Sequence, residues 1–209
     1  MSKNNFKKNK YIVVKNVITS ELADFFYKYF LLKRRVTDTL SSMNHTHHLN
    51  YQSGTYNDKQ IPNTYSIYSD LVMETLLVKL LPVMEKQTKL KLVPNYSYSR
   101  IYKYGDILNR HKDRFSCEIS TTLNLGGDSW PIFLEPSEKL NKKGIKIDLK
   151  PGDMLIYRGN ILEHWREKFK GKECAQVFLH YNNKETLGSQ ENIFDGRLHL
   201  GLPKEITNV

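Results

Sequence analysis

Near Leu90 the periodicity of the chain changes, and that change limits the folds open to it. Upstream, apolar residues recur at helical spacing. Downstream, Tyr96, Tyr98, Arg100, Tyr102 and Tyr104 alternate with Ser97, Ser99, Ile101 and Lys103, the period-two signature of a strand with two different faces. Further short strands are predicted at 118–125, 130–134, 145–149, 154–157 and 174–181. Gly126-Gly127, the stretch 136–144, Pro151-Gly152 and Arg158-Gly159-Asn160 punctuate them as turns. Short strands separated by regular turns predict a sandwich or jelly roll.

The first part of the chain supplies the helices of an α+β fold. Tyr11 opens a β-branched stretch, YIVVKNV, that reads as a strand. Thr19 and Ser20 offer an N-cap, and Glu21 sits where the helix dipole favours an acid. Leu22, Phe25, Phe26, Tyr29, Phe30 and Lys33 then follow a 3–4 spacing, which predicts an amphipathic helix over 20–33. Residues 36–65 lack clean periodicity and are rich in Asn, Ser, Thr, His and Tyr, so a long lid loop is expected there. A second helix is predicted over 66–86, carrying Leu71, Met73, Leu76, Leu77, Leu80, Leu81 and Met84, and bent or ended near Pro82. Helices first and strands afterwards argue for helices buttressing one sheet.

A chain of 209 residues suits one well-filled domain. The expected divisions are a basic tail (1–10), helical support and lid loop (11–89), a jelly-roll core (90–182) and a polar C-terminal wrap (183–209) onto which Leu198, Leu200 and Leu202 could dock. A hydrophobic share of 39% argues against global disorder. No apolar run approaches the roughly 18–20 residues of a membrane span. The basic start has no apolar stretch behind it, unlike a secretory signal. Cys117 and Cys174 are the only cysteines, which fits a reducing compartment. A soluble, intracellular (cytoplasmic) protein without a membrane partner is therefore expected. The net charge of +10 attracts anions, whether small acids, acidic proteins or nucleic acid. The lysines are dispersed over the tail, 142–150 and 166–172, however, and also read as solvated surface.

The most informative segment is RIYKYGDILNRHKDRF. His111 and Asp113, one residue apart, can converge on one ion, and His164 follows the strand at 154–157 after a short turn. Two imidazoles and a carboxylate on one face of an octahedron suit Fe(II) and leave adjacent positions open. A His-x-Asp arises by chance roughly 0.3 times in a chain of this composition, so the order of elements has to carry the argument. That order is a Tyr-rich strand, His-x-Asp, a Thr-rich strand, a Pro-Gly-Asp turn, a strand and then a His. The cluster His45-Thr46-His47-His48 is a rival on paper, but it contains no carboxylate and falls in the lid loop. His180 and His199 read as structural.

The ordered set resembles the 2-oxoglutarate/Fe(II)-dependent oxygenase superfamily, particularly its prolyl-4-hydroxylase-like branch, over 96–182. The resemblance implies a double-stranded β-helix (jelly roll), Fe(II) held by His111, Asp113 and His164, and 2-oxoglutarate and O2 as co-substrates. It also implies a cation for the distal carboxylate of 2-oxoglutarate near the last main strand. Glu173 and Cys174 stand where the family usually keeps that cation, so Arg166, with its planar fork, is favoured ahead of Lys172. Tyr102 is placed to hydrogen-bond the same carboxylate, or else to fill the core. Thr122 or Thr121 could add a hydroxyl, Trp165 could wall the site, and Arg158 belongs to a turn. The implied reaction is hydroxylation of a C–H bond, first of a prolyl or other residue in a protein or peptide, with release of succinate and CO2. A nucleic-acid base or a small molecule is the alternative substrate, and a non-catalytic jelly-roll binding module the alternative function.

Overall fold

The computed structural model describes residues 5–139 and 142–207. In chain order, a one-turn helix α1 (Phe6–Asn9) and strand β1 (Tyr11–Val14) precede a long helix α2 (Ser20–Ser42). After two 3-10 turns come β2 (Tyr65–Tyr68), α3 (Leu71–Thr88), β3 (Leu92–Lys103), β4 (Leu108–His111) and β5 (Ile119–Gly127). The chain continues through β6 (Ile132–Glu135), β7 (Ile145–Ile147), β8 (Met154–Arg158), β9 (Glu163–Arg166) and β10 (Glu173–Asn183). The strands make a six-stranded sheet, β1-β8-β5-β10-β3-β2, and a four-stranded sheet, β4-β9-β6-β7. Every neighbouring pair is antiparallel. This is a double-stranded β-helix with helices on one sheet.

Alternation along the central strands sends two chemistries to two faces. On the outer face, Ile101, Leu123, Val177 and Leu179 join Phe26, Phe30, Leu76, Leu77 and Met84 from α2 and α3 in one core. Each large apolar side chain buried there stabilises the fold by about 1.5–3 kcal/mol. The opposite face of the same strands, turned toward the small sheet, carries Tyr98, Arg100 and Tyr102 from β3, Ser120 and Thr122 from β5, and Gln176 and His180 from β10. A lined polar interior of this kind is unusual for a purely structural core and sets the location of the site.

Several element boundaries differ from the sequence reading. Residues 6–9 form a helical turn that buries Phe6, so the expected tail is partly ordered structure; residues 1–4 lie outside the described residues. Helix α2, capped by the Thr19 side chain as expected, runs nine residues beyond Lys33 to Ser42. That extension has little apolar periodicity and is held instead by polar contacts: Arg34 to Glu173 at 2.8 Å and Thr37 to the Ser53 carbonyl at 2.5 Å. The lid loop is correspondingly shorter. Tyr65–Tyr68 is an edge strand paired with β3, and α3 begins after it on an Asp70 cap that accepts from Val72 and Met73. Helix α3 also continues past Pro82 to Thr88, the missing amide falling on its exposed side. In the C-terminal segment Leu200 packs against the main core, whereas Leu198 is exposed. No helix among the described residues is long and apolar enough to cross a membrane.

Candidate metal centre and anion pocket

Strands β4 and β9 pair so that His111 lies directly opposite His164. Asp113 follows two residues after His111, and its amide donates to the Gly159 carbonyl at 2.9 Å. Its Oδ1 is 3.4 Å from His164 Nε2 and 3.6 Å from His111 Nε2. One ligand atom from each of the three residues lies within 4.8 Å of the others. The second ring nitrogens face backbone carbonyls, His111 Nδ1 at 2.7 Å from Asn109 and His164 Nδ1 at 3.1 Å from Leu162. An Nδ1–H donating there fixes the tautomer and leaves each Nε2 lone pair facing Asp113, the arrangement typical of metal-binding imidazoles.

Support for Asp113 comes from behind. Ser120 Oγ is 2.8 Å from Asp113 Oδ2 and 3.1 Å from His180 Nδ1. With the hydroxyl proton on Asp113, the imidazole N–H of His180 completes the chain. Burial pushes His180 down to about 4, so it is neutral near pH 7. Gly159 abuts this group, and a Cβ there would run into Asp113 Oδ2, Ser120 Oγ and the Cys117 carbonyl. The turn 158–160 read from the sequence is thus part of the site's support.

The three residues border a cavity of about 340 Å³, whose inner walls include Tyr102, Leu108, Ile132, Tyr157 and Phe178. Two positions beyond His164 on the same face of β9 is Arg166, 1% exposed. It donates to the Trp130 carbonyl and, at 3.3 Å, to Thr122 Oγ1. Its Nε has no partner, and no carboxylate pairs with it among the described residues. Burial lowers its pKa, with Tyr102, Cys174 and Tyr157 nearby partly offsetting that loss. A fully buried guanidinium without a carboxylate is costly, and an anionic ligand is the natural complement.

Other sequence-derived candidates fall elsewhere. Lys172 is exposed, and its backbone amide binds Asp128 at 2.6 Å; the turn before β10 sends its side chain to solvent, which corrects the expectation of an alternative anchor. Thr122 faces inward, but Thr121 faces the helices and accepts from the Leu179 amide at 3.0 Å. Trp165 points away from the site, stacked on Phe133 with ring centroids 5.5 Å apart and lying under Arg110. Arg158 binds Glu118 at 2.5 Å beside the turn. His45, His47 and His48 cluster on an exposed 3-10 turn, and His199 is exposed. The sequence reading missed the roles of Ser120, His180 and Gly159, and of Arg100, whose visible signal was a lone cation among tyrosines on the alternating face of β3.

No known family profile and no curated protein matches this chain. Among solved structures, it is similar to HygX from Streptomyces hygroscopicus with nickel and 2-oxoglutarate bound, at 13% identity and a TM-score of 0.60, covering 88% of each chain. It is also similar to a prolyl-4-hydroxylase from Pseudomonas putida, at 14% identity and a TM-score of 0.56, over 86% of this chain and 95% of that one. The fold is that of the 2-oxoglutarate/Fe(II) oxygenases. EctD from S. alaskensis with bound Fe shares this oxygenase fold at 15% identity and a TM-score of 0.58, over 85% of this chain and 74% of that one. Identities this low carry the fold alone, so the chemistry of this chain rests on its own side chains.

Proposed function

We propose that this chain is an Fe(II)- and 2-oxoglutarate-dependent dioxygenase. The observation that carries the proposal is the convergence of His111, Asp113 and His164 beside a cavity, with Arg166 buried without a carboxylate partner two positions beyond His164 on β9. The donor set fits the metal: two imidazoles and one carboxylate suit Fe(II), and one ligand atom from each lies close enough to the others to share a single cation. Arg166 is two residues from His164 along one strand face, about 7 Å. A short dicarboxylate can span that distance, one end at the metal and the other on the guanidinium.

When bound, iron with 2-oxoglutarate and O2 supplies oxidation of a C–H bond, with release of succinate and CO2. The chain's own residues do the positioning. His111, Asp113 and His164 hold the metal, and Ser120 and His180 fix the Asp113 carboxylate. Arg166 and Thr122 bind the distal carboxylate of 2-oxoglutarate, with the Tyr102 hydroxyl on the same wall. The apolar groups Leu108, Ile132 and Phe178 limit the water beside it. The first choice of substrate is a prolyl or other residue in a protein or peptide; the prolyl-4-hydroxylase among the similar structures and the loop over the cavity support that choice. HygX, solved with hygromycin B bound, supports a small molecule as the alternative. Succinate release dependent on Fe(II) and 2-oxoglutarate, lost in His164→Ala, tests the activity; equal release from the variant overturns it.

A further inference from the structure

A buried guanidinium, that of Arg100, lines the same cavity and donates to the Tyr102 hydroxyl at 3.4 Å. Arg100 is 2% exposed and sits between the rings of Tyr98 and Tyr102, with centroids 5.2 and 5.4 Å away. Its partner comes from the loop between α2 and β2: Asp58 accepts from both Arg100 and the Tyr98 hydroxyl. From the same loop, Gln60 presents its carbonyl to Arg100 at 3.1 Å and its amide nitrogen to His111 Nε2 at 3.1 Å. One loop thus places a carboxylate on Arg100 and a carboxamide on the nitrogen that faces Asp113.

These contacts are linked. His111 Nε2 cannot serve as a ligand while the Gln60 amide occupies it, and Asp58 travels on the same loop two residues away. Withdrawal of the loop takes the carboxylate from Arg100 and leaves a cation among aromatic rings, with its Nε already unpartnered. A neutral substrate entering there would bear the full loss of the ion pair, whereas a carboxylate would replace it.

We infer that Arg100 is a substrate-recognition residue that binds a carboxylate of the substrate, and that Asp58 is the internal stand-in for that group. The inference rests on the proposed oxygenase reading and narrows its substrate to an acid, either a free organic acid or an acidic side chain of a peptide. Arg166 serves the co-substrate and Arg100 the substrate.

The test uses the full chain loaded anaerobically with Fe(II) and 2-oxoglutarate, and fluorine NMR of 4-fluorobenzoate, 4-fluorobenzamide and an end-blocked fluorinated pentapeptide containing one Asp. At least one of the two acids is expected to bind, tighter by several-fold in Asp58→Asn and weaker by tenfold or more in Arg100→Gln, with Arg100→Lys between; the tighter acid identifies the source. The benzamide is expected not to bind. Acid binding that is unchanged in both Arg100 variants, or absent from wild type and Asp58→Asn alike, overturns the inference. So does a tenfold loss of 2-oxoglutarate affinity in Arg100→Gln with none in Arg166→Ala, which would make Arg100 the co-substrate anchor. The visible band of the iron–keto acid complex, recorded on the same samples, separates the two failures: its absence from wild type overturns the oxygenase reading itself.

Discussion

His164 and Arg166 project from the same face of β9 into the barrel, the imidazole toward Asp113 and the guanidinium toward Thr122, with Trp165 between them turned outward. One short strand therefore supplies both an imidazole nitrogen facing Asp113 and a buried cation.

The role given to Arg166 predicts that Arg166→Ala weakens 2-oxoglutarate binding by about 1.5–3 kcal/mol, roughly 10- to 150-fold. Lys172→Ala, altering an exposed side chain, is expected to leave it unchanged. Titration of the iron–keto acid absorption against 2-oxoglutarate measures both.

Ser120→Ala removes the hydroxyl between Asp113 and His180. Loss of such outer support is expected to cost about 10- to 100-fold in metal affinity. Competition with a chelator reads that change, and the unfolding transition of the metal-free variant should stay close to that of the metal-free wild type.

Arg197 and Glu74 are a buried pair at 2.8 Å, and Arg197 also donates to the Asn95 carbonyl at 3.0 Å, pinning the C-terminal segment to α3 and β3. Arg197→Met takes the buried Glu74 carboxyl's cation away, and a loss of about 3–5 kcal/mol is expected in urea unfolding. The double variant Glu74→Met with Arg197→Met should recover part of it.

The buried Asp153 carboxyl joins the turn after β1 to the turn before β8 through Lys15 at 2.8 Å and the amides of Asn16 and Lys150 at 3.1 and 3.0 Å. Burial alone would raise its pKa, but these bonds hold it below the ordinary value. A depressed carboxyl contributes stability above its unfolded pKa of about 3.9 and loses it as pH falls through the folded value. Asp153→Asn should therefore be less stable than wild type at pH 7, and the gap should close below about pH 4. A gap independent of pH in urea unfolding would contradict the assignment.

The legible parts of this fold are those in which local pattern and tertiary role coincide. Strands β3, β5 and β10 alternate because one face meets helices and the other meets a polar interior, so their periodicity announces them. His-x-Asp was visible as a motif for the same local reason. Strands β4 and β9, Leu-Asn-Arg-His and Glu-His-Trp-Arg, carry almost no apolar alternation; their pairing is fixed across the barrel by the opposition of His111 and His164. Lys172 and Arg166 look alike as charges, but Arg166 ends β9 on its buried face whereas Lys172 lies in the exposed turn before β10. Arg100 was in plain view on β3, but its meaning depends on Asp58, which the fold brings from a loop 42 residues earlier.

The central claim is that His111, Asp113 and His164 hold an iron that 2-oxoglutarate can chelate. The most direct test adds Fe(II) and then 2-oxoglutarate to the pure protein without oxygen and follows the visible charge-transfer absorption, with Asp113→Ala as control. The account predicts a band in the wild type that is absent from the variant. No band in the wild type, or equal bands in both proteins, would contradict it.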